Sequence, residues 1–374
     1  MKRILFSGYA PVHVLCFMPV YEHLRKDPQI EVFFSGGFWR VRDDPTLEID
    51  GFYDPFPVDP GHVMPVEQSR EEDFDVFVCA HLSDRLFPRS ARRKVQIYHG
   101  VSFKNLSVRE KALKYDLLCL PGRYHAELYR SEGLVRPDGP TCLVSGFPKT
   151  DPLRSTDLDR DAILSRMGLD PGRRTILFAP TGEKNNALET MGREVVEAIA
   201  GSGSWNLLIK PHDHPKNAID WFGELAPYES GAVRLVRDLD VVPYLYAADL
   251  LLTDASSVAV EYTLLDRPIV FLDVPKLFKR VRKRAPALDL ETYGRKIGVV
   301  VEKPGDLVAA LTNAFADPQR QGDIRRDMAR HVFHGPGGAA ARVAGIIRYA
   351  ADLAPRLPHD VEIVEAQTKS ASAA

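Results

Sequence analysis

Short apolar runs bounded by polar residues alternate along most of the chain with stretches in which apolar residues recur every three or four positions. Runs of the first kind mark strands buried on both faces of a parallel sheet, and stretches of the second kind mark amphipathic helices. The pattern predicts strands at residues 3–7, 30–34, 75–80, 94–98, 116–120 and 141–145, with helices at 14–25 and 124–132. Residues 41–70 are rich in proline and charge and read as an irregular excursion, and 146–152 break all periodicity and read as a linker. A second series follows, with strands at 175–179, 206–210, 234–236, 249–253, 267–272 and 296–301. Helices are predicted at 157–167, 190–200, 241–247 and 304–315, then a last one from 339. Two such series predict an α/β protein of two doubly wound, Rossmann-like domains. The expected division is 1–150, 151–338, a C-terminal helix at 339–354 and a flexible polar tail at 355–374.

One stretch organises the second series. Residues 249–253 end in Thr253, Asp254–Ser257 are small and polar, and Val258, Glu261, Tyr262 and Leu265 then recur at helical spacing. A strand, a tight turn and a helix opening on Ser256 and Ser257 place hydroxyls and backbone N–H groups at one end of a sheet, where an anion is readily held. The same serines are also good helix caps, so an ordinary capped helix is the competing reading.

Length and composition narrow the class. The chain has 374 residues, 45% hydrophobic and 27% charged, with a formal net charge of −2, which gives no global pull toward nucleic acid or membrane. Cys16, Cys79, Cys119 and Cys142 stand singly, as expected of reduced core thiols in a cytoplasmic protein. Residue 4 onward is strand-like at once, with neither a signal-peptide pattern nor a long apolar span. Gly8 closes the first predicted strand without a G-x-G-x-x-G sequence, so a nicotinamide or flavin dinucleotide is not signalled.

Histidines at strand ends carry the remaining chemistry. His99 follows a predicted strand and precedes Gly100, with Lys104 nearby, and an imidazole there can accept a proton at physiological pH. His13 lies in the loop after the first strand, as a substrate contact or a solvated loop residue. The sequence Pro211-His212-Asp213-His214 ends another strand, and a phosphate-facing or catalytic role for His212 fits better than a metal clip without further ligands. Asp238 and Asp240 resemble a metal-binding pair, but Asp240 stands directly before a helix, where it caps. Lys276, Lys279, Arg280, Arg282, Lys283 and Arg284 alternate with Leu277, Phe278 and Val281, forming either a solvated basic helix or a patch for anionic lipid head groups.

Taken in order, the motifs resemble those of the CDP-glycerol glycerophosphotransferases of teichoic acid and capsule synthesis. YHGVSFK (98–104), GFPKTD (146–151), APTGEK (179–184), KPHDHP (210–215), TDASSVAVEY (253–262) and HGPGGAAAR (334–342) stand where that family has WHGTPLK, GYPRND, APTWRD, a strand-end histidine, TDYSSVxFDY and DGxAxxR. Tyr98, Ala255, Glu261 and the triplet Gly182-Glu183-Lys184 depart from the family pattern. The resemblance implies a GT-B fold with the acceptor on the first domain and a CDP-linked donor on the second. It implies displacement at phosphorus with release of CMP, onto a lipid-linked or glycan hydroxyl, at the inner face of the cytoplasmic membrane. His99 would be the general base and His212 would stabilise developing charge. Thr181, Gly182, Thr253, Asp254, Ser256, Ser257 and Glu261 would bind the donor, Glu261 through its ribose. His13, Lys104 and Arg342 would contact acceptor or phosphate. No tightly bound cofactor is implied, and a divalent-metal requirement is left open. UDP-N-acetylglucosamine 2-epimerases share the fold and carry TDSGGxxEE at the same turn, so an epimerase or a nucleotide-sugar glycosyltransferase is the alternative.

Overall fold

The computed structural model describes residues 1–39, 46–212, 219–283, 289 and 294–366. Its contacts divide the chain into two units, Met1–His99 with Ser107–Asp151 and His331–Ala374, and Gly100–Leu106 with Pro152–Arg330. The first unit is built on β1 (Lys2–Gly8), β2 (Ile30–Gly36), β3 (Val63–Met64), β4 (Asp73–Cys79), β5 (Ser90–Gln96), β6 (Leu117–Leu120) and β7 (Thr141–Val144). The second is built on β8 (Thr175–Phe178), β9 (Asn206–Ile209), β10 (Val233–Leu235), β11 (Leu250–Thr253), β12 (Ile269–Leu272) and β13 (Val299–Val301). A last short strand, β14 (Glu362–Ile363), returns to the first unit.

Among the described residues, the first sheet runs β14-β7-β6-β5-β4-β1-β2-β3 and is parallel except at β14. The second runs β10-β9-β8-β11-β12-β13 and is parallel throughout. In both sheets the strand order reverses beside the first strand, between β1 and β4 and between β8 and β11. Right-handed crossovers running in opposite directions from that point put helices on opposite faces and leave a crevice at the strand carboxyl ends. The apolar runs fill the cores, with Ile4, Leu5, Phe6, Val76, Phe77 and Val78 in one and Ile176, Leu177, Phe178, Leu250, Leu251 and Leu252 in the other all at 0% exposure.

Close approach at the first crevice requires glycine. Gly36 has φ +120°, and a Cβ there would lie 1.8 Å from the Gly8 carbonyl oxygen. The four cysteines are buried and unpaired with one another.

The C-terminal part departs from the expected division. Residues from His331 onward belong to the first unit, where helix Ala339–Ala350 packs against helix Pro11–Leu24. The expected tail is ordered through 366: β14 pairs antiparallel with β7, Ile363 opposite Leu143, and Val364 is buried. Residues 367–374 lie outside the described residues. The expected linker at 146–152 is not exposed either, since 146–150 are buried. Asp151 accepts from the N–H groups of Gly337, Ala339 and Ala340 at 3.0, 3.2 and 2.7 Å, tying this segment to the last helix. Gly146 has φ +94°, and a Cβ there would also meet the His334 carbonyl oxygen at 2.6 Å and Arg342 Nη2 at 2.9 Å, so the position requires glycine.

Candidate active site

In the first unit three imidazoles stand beyond the carboxyl ends of neighbouring strands: His13 after β1, His81 after β4 and His99 after β5. His13 lies not in a loop but in the first turn of the helix Pro11–Leu24, 2% exposed, which excludes the solvated reading. Ring centroids are 4.8 Å apart for His13 and His99, 5.8 Å for His13 and His81, and 5.7 Å for His81 and His99. Tyr9 meets His13 and His81 edge-on, each at 4.7 Å. His99 and His13 were singled out from the sequence; His81 and Tyr9 were not. The signal for His81 was the same as for His99, a histidine just past a buried strand.

Hydrogen bonds fix the tautomers of two rings. His99 Nδ1 lies 2.6 Å from the Ala80 carbonyl oxygen. A carbonyl only accepts, so Nδ1 carries the proton and Nε2 presents its lone pair. The Tyr9 N–H donates to His13 Nδ1 at 3.2 Å, which leaves the His13 proton on Nε2. Burial lowers the basicity of His99, partly offset by the Ala80 bond and reinforced by Lys149. Burial also holds His13 well below the usual imidazole range, and His81 down to about 3, and the neighbouring His99 lowers both further. His99, half-buried, is thus a neutral base with a directed lone pair.

The second unit holds the strand-turn-helix read from the sequence, on β11 and the short helix Val258–Tyr262. Ser257 occupies the position before the helix but makes no side-chain cap bond, so the capped-helix reading fails at this residue. Ser256 is 4% exposed and Ser257 half-buried. A Cβ on Gly100 would lie 3.7 Å from Ser257 Oγ, so glycine there leaves the hydroxyl uncovered.

Asp254 builds this turn rather than facing a ligand. It is fully buried and accepts from the N–H groups of Thr181, Ala187 and Ala255 at 2.8, 2.8 and 2.6 Å. Burial raises its pKa, against those three bonds and the charge of Lys104. The carboxylate thereby joins the turn after β11 to the loop after β8 across the strand reversal. Lys104, 8% exposed, donates from Nζ to Thr181 Oγ1 at 3.2 Å, placing a cation and a hydroxyl beside that junction. Gly182 follows, half-buried in the same loop.

Other expected ligands are placed differently. Thr253 is fully buried and its hydroxyl donates to the Ala179 carbonyl at 2.7 Å, so it stitches β11 to β8. Glu261 is at 0% exposure on the inward face of its helix, which removes it as a solvent-facing ribose ligand. Arg342 is spent within the first unit. It donates to the Ser145 and His334 carbonyls at 2.7 and 2.9 Å, to Gly335, and to Asp360 at 3.0 Å. It locks the C-terminal segment and is not a phosphate contact. His212 is exposed beyond β9, while Asp213 and His214 lie outside the described residues. Asp240 accepts from the Val242 N–H at 2.9 Å at the start of the helix Val242–Ala247, although the cap position itself is Val241, and Asp238 accepts from the Tyr244 hydroxyl. Among the described residues no group of His, Cys, Asp and Glu has the arrangement of a metal site.

Comparison with known proteins places these features in a family. The chain is 26% identical over 220 residues to the teichoic acid poly(glycerol phosphate) polymerase of Staphylococcus epidermidis, covering 50% of this chain and 30% of that protein. It is 25% identical over 195 residues to the teichoic acid glycerol-phosphate primase of Bacillus spizizenii, covering 51% and 45%. The aligned regions thus span less than half the length of these two relatives. The solved structure of the wall teichoic acid polymerase TagF superposes with a TM-score of 0.68 at 20% identity, covering 94% of this chain and 89% of that one. That likeness establishes the fold as GT-B, as the motifs implied. Residues 78–349 match the family model described as CDP-glycerol:poly(glycerophosphate) glycerophosphotransferase, and the chain belongs to that family.

Proposed function

We propose that this protein transfers a glycerol-phosphate, or related polyol-phosphate, unit from a CDP-activated donor to a hydroxyl of a lipid-linked or glycan acceptor of the cell envelope, releasing CMP. The observation that carries this reading is the bond from His99 Nδ1 to the Ala80 carbonyl at 2.6 Å, which leaves Nε2 as a neutral base on an element the family model covers. The acceptor oxygen forms a bond to the phosphorus bearing the polyol while the bond from that phosphorus to the bridging oxygen of CMP breaks. The acceptor proton passes to His99 Nε2, and CMP leaves as the phosphate monoester. Ser256, Ser257 and Thr181 hold the donor diphosphate, with Gly182 allowing close approach and Lys104 countering charge. His212 stabilises charge on the leaving phosphate, and His13, with its proton on Nε2, is a donor toward the acceptor. Thr253 and Asp254 shape the donor turn from beneath.

The basic helix Pro275–Arg282 buries Leu277, Phe278 and Val281 in its own unit and presents Lys276, Lys279, Arg280, Arg282 and Lys283 outward. Arg284 lies outside the described residues. Its apolar face is already used, so contact with an anionic membrane at the cytoplasmic face is electrostatic, without insertion. Among the described residues no helix is long and apolar enough to cross a membrane.

Donor binding tests this reading. CDP-glycerol is expected to raise the melting temperature, because a ligand of the native state at a hundred times its Kd stabilises by about 2.7 kcal/mol. Ser256→Ala combined with Ser257→Ala should abolish that shift while the unliganded melting temperature stays near wild type, since the Ser257 hydroxyl caps nothing. Each hydroxyl bond to a charged phosphate contributes roughly 1.5–3 kcal/mol. Undiminished protection in the double variant would remove the serines from the donor site.

A further inference from the structure

Two motifs without a part in the transfer meet in the first unit. GFPKTD (146–151) follows β7, and HGPGGAAAR (334–342) leads into the last helix. The second motif holds the first at both ends. Arg342 donates from Nε to the Ser145 carbonyl at 2.7 Å and from Nη2 to the His334 carbonyl at 2.9 Å. Asp151, six residues on, accepts from the N–H groups of Gly337, Ala339 and Ala340. Between these anchors the chain makes a tight turn. Thr150 donates from its N–H and its hydroxyl to the Phe147 carbonyl, at 3.2 and 2.9 Å.

Lys149 stands on that turn and is 7% exposed. The turn begins over the crevice, since the Ser145 and Gly146 N–H groups donate to the Leu120 carbonyl at the end of β6, at 2.9 and 3.3 Å. Strand β6 lies between β7 and β5, and His99 follows β5. The Lys149 charge acts on the His99 ring, and the His13 ring lies 4.8 Å from that ring. A cation on a doubly anchored turn and a base thus share the carboxyl ends of β5 to β7. An ammonium has three donors and no acceptor, a point charge suited to a phosphate oxygen. In the proposed transfer His99 takes the proton of the acceptor hydroxyl, so an anion held by Lys149 lies on the acceptor, near that hydroxyl.

We propose that Lys149 binds a phosphate of the acceptor beside its reacting hydroxyl, and that Arg342 and Asp151 are positioning residues acting through it. This rests on His99 being the base, and it assigns the acceptor a negative charge near its reacting end. An acceptor ending in a polyol phosphate fits, whereas a neutral sugar terminus gives the ammonium no anion to hold.

Glycerol 3-phosphate is the probe, added to the whole protein without CDP-glycerol and followed at the His99 Cε1–H resonance by NMR. The outcome is therefore independent of the donor's identity. Wild type should show a saturable shift, retained in the Ser256→Ala, Ser257→Ala double variant because those serines lie in the other unit. Lys149→Met should weaken binding about ten- to a hundredfold, the loss expected of one bond to a charged group. Lys149→Arg keeps the charge and should restore most of it. In turnover, Lys149→Met should raise KM for a phosphate-ended acceptor by a similar factor, with CDP-glycerol affinity near wild type. Arg342→Met should raise that KM in wild type and add little to Lys149→Met, because both changes remove one contact. Asp151→Asn, a milder change at the other anchor, should behave likewise and serves if Arg342→Met does not fold. Unchanged glycerol 3-phosphate binding in Lys149→Met overturns the proposal, whatever happens to its melting temperature. So does an equal rise in KM with a neutral, sugar-ended acceptor, or a loss of CDP-glycerol affinity, which would make Lys149 a donor ligand. Full additivity with Lys149→Met would remove Arg342 and Asp151 as residues acting through it.

Discussion

His99→Gln is expected to bind CDP-glycerol with near wild-type affinity and to transfer almost nothing. The substitution keeps a side chain that can donate to the Ala80 carbonyl, so the loop is retained, but it removes the lone pair that accepts the acceptor proton. Loss of a general base costs ~100- to 10,000-fold in rate. Donor affinity is spared because the proposed phosphate ligands lie on other elements, after β8 and β11. Measuring kcat under donor saturation alongside donor affinity by calorimetry separates the two effects. Transfer at a near wild-type rate would move the base elsewhere, with His13 the next imidazole in the cluster.

Asp254→Ala should be the most damaging change in the second unit, and it should act on stability and donor binding together. The carboxylate takes N–H groups from Thr181, Ala187 and Ala255 at 0% exposure, and alanine strands all three. A buried donor left without a partner costs about 1–3 kcal/mol. Lys104 would also lose the counter-charge beside it. For a unit of this size each 1 kcal/mol lowers the melting temperature by about 2–4 °C, so a fall of roughly 6 °C or more is expected. Because the same bonds align the turn after β11 with the loop after β8, CDP-glycerol should no longer protect the variant. Wild-type melting with lost binding would make Asp254 a direct donor ligand, and unchanged behaviour in both would mean the turn holds its shape without it.

Most of both sheets was legible in the sequence because most parallel strands carry a continuous apolar run, and the strand-end rule led from them to His99, His13 and the serine turn. The exceptions are β3, two residues inside the stretch read as irregular, and the charged first half of β5, Ser90–Gln96. What could not be read depends on which strands are neighbours. His81 follows β4, and only the order β5-β4-β1 brings it beside His99 and His13. The ordered C-terminus was missed for a related reason. β14 is two residues long and its partner β7 is more than two hundred residues earlier, while Arg342 and Asp151 bind groups distant in the chain. Motif likeness misplaced Arg342 and Glu261 because residue identity does not report burial. The helical spacing had in fact put Glu261 on the apolar face with Val258, Tyr262 and Leu265. The Thr253 hydroxyl shows the same limit, since it serves a backbone carbonyl that the sequence does not show to be within reach.

The central claim is a phosphoryl transfer from a CDP-linked polyol, and following phosphorus by NMR during turnover tests it most directly. Purified protein is mixed with CDP-glycerol and a lipid-linked or glycan hydroxyl acceptor. The account predicts that CMP appears in step with a new phosphodiester signal, and that both vanish with His99→Gln. CDP-glycerol left intact with every acceptor, while UDP-N-acetylglucosamine is converted to free N-acetylmannosamine and UDP, would contradict it.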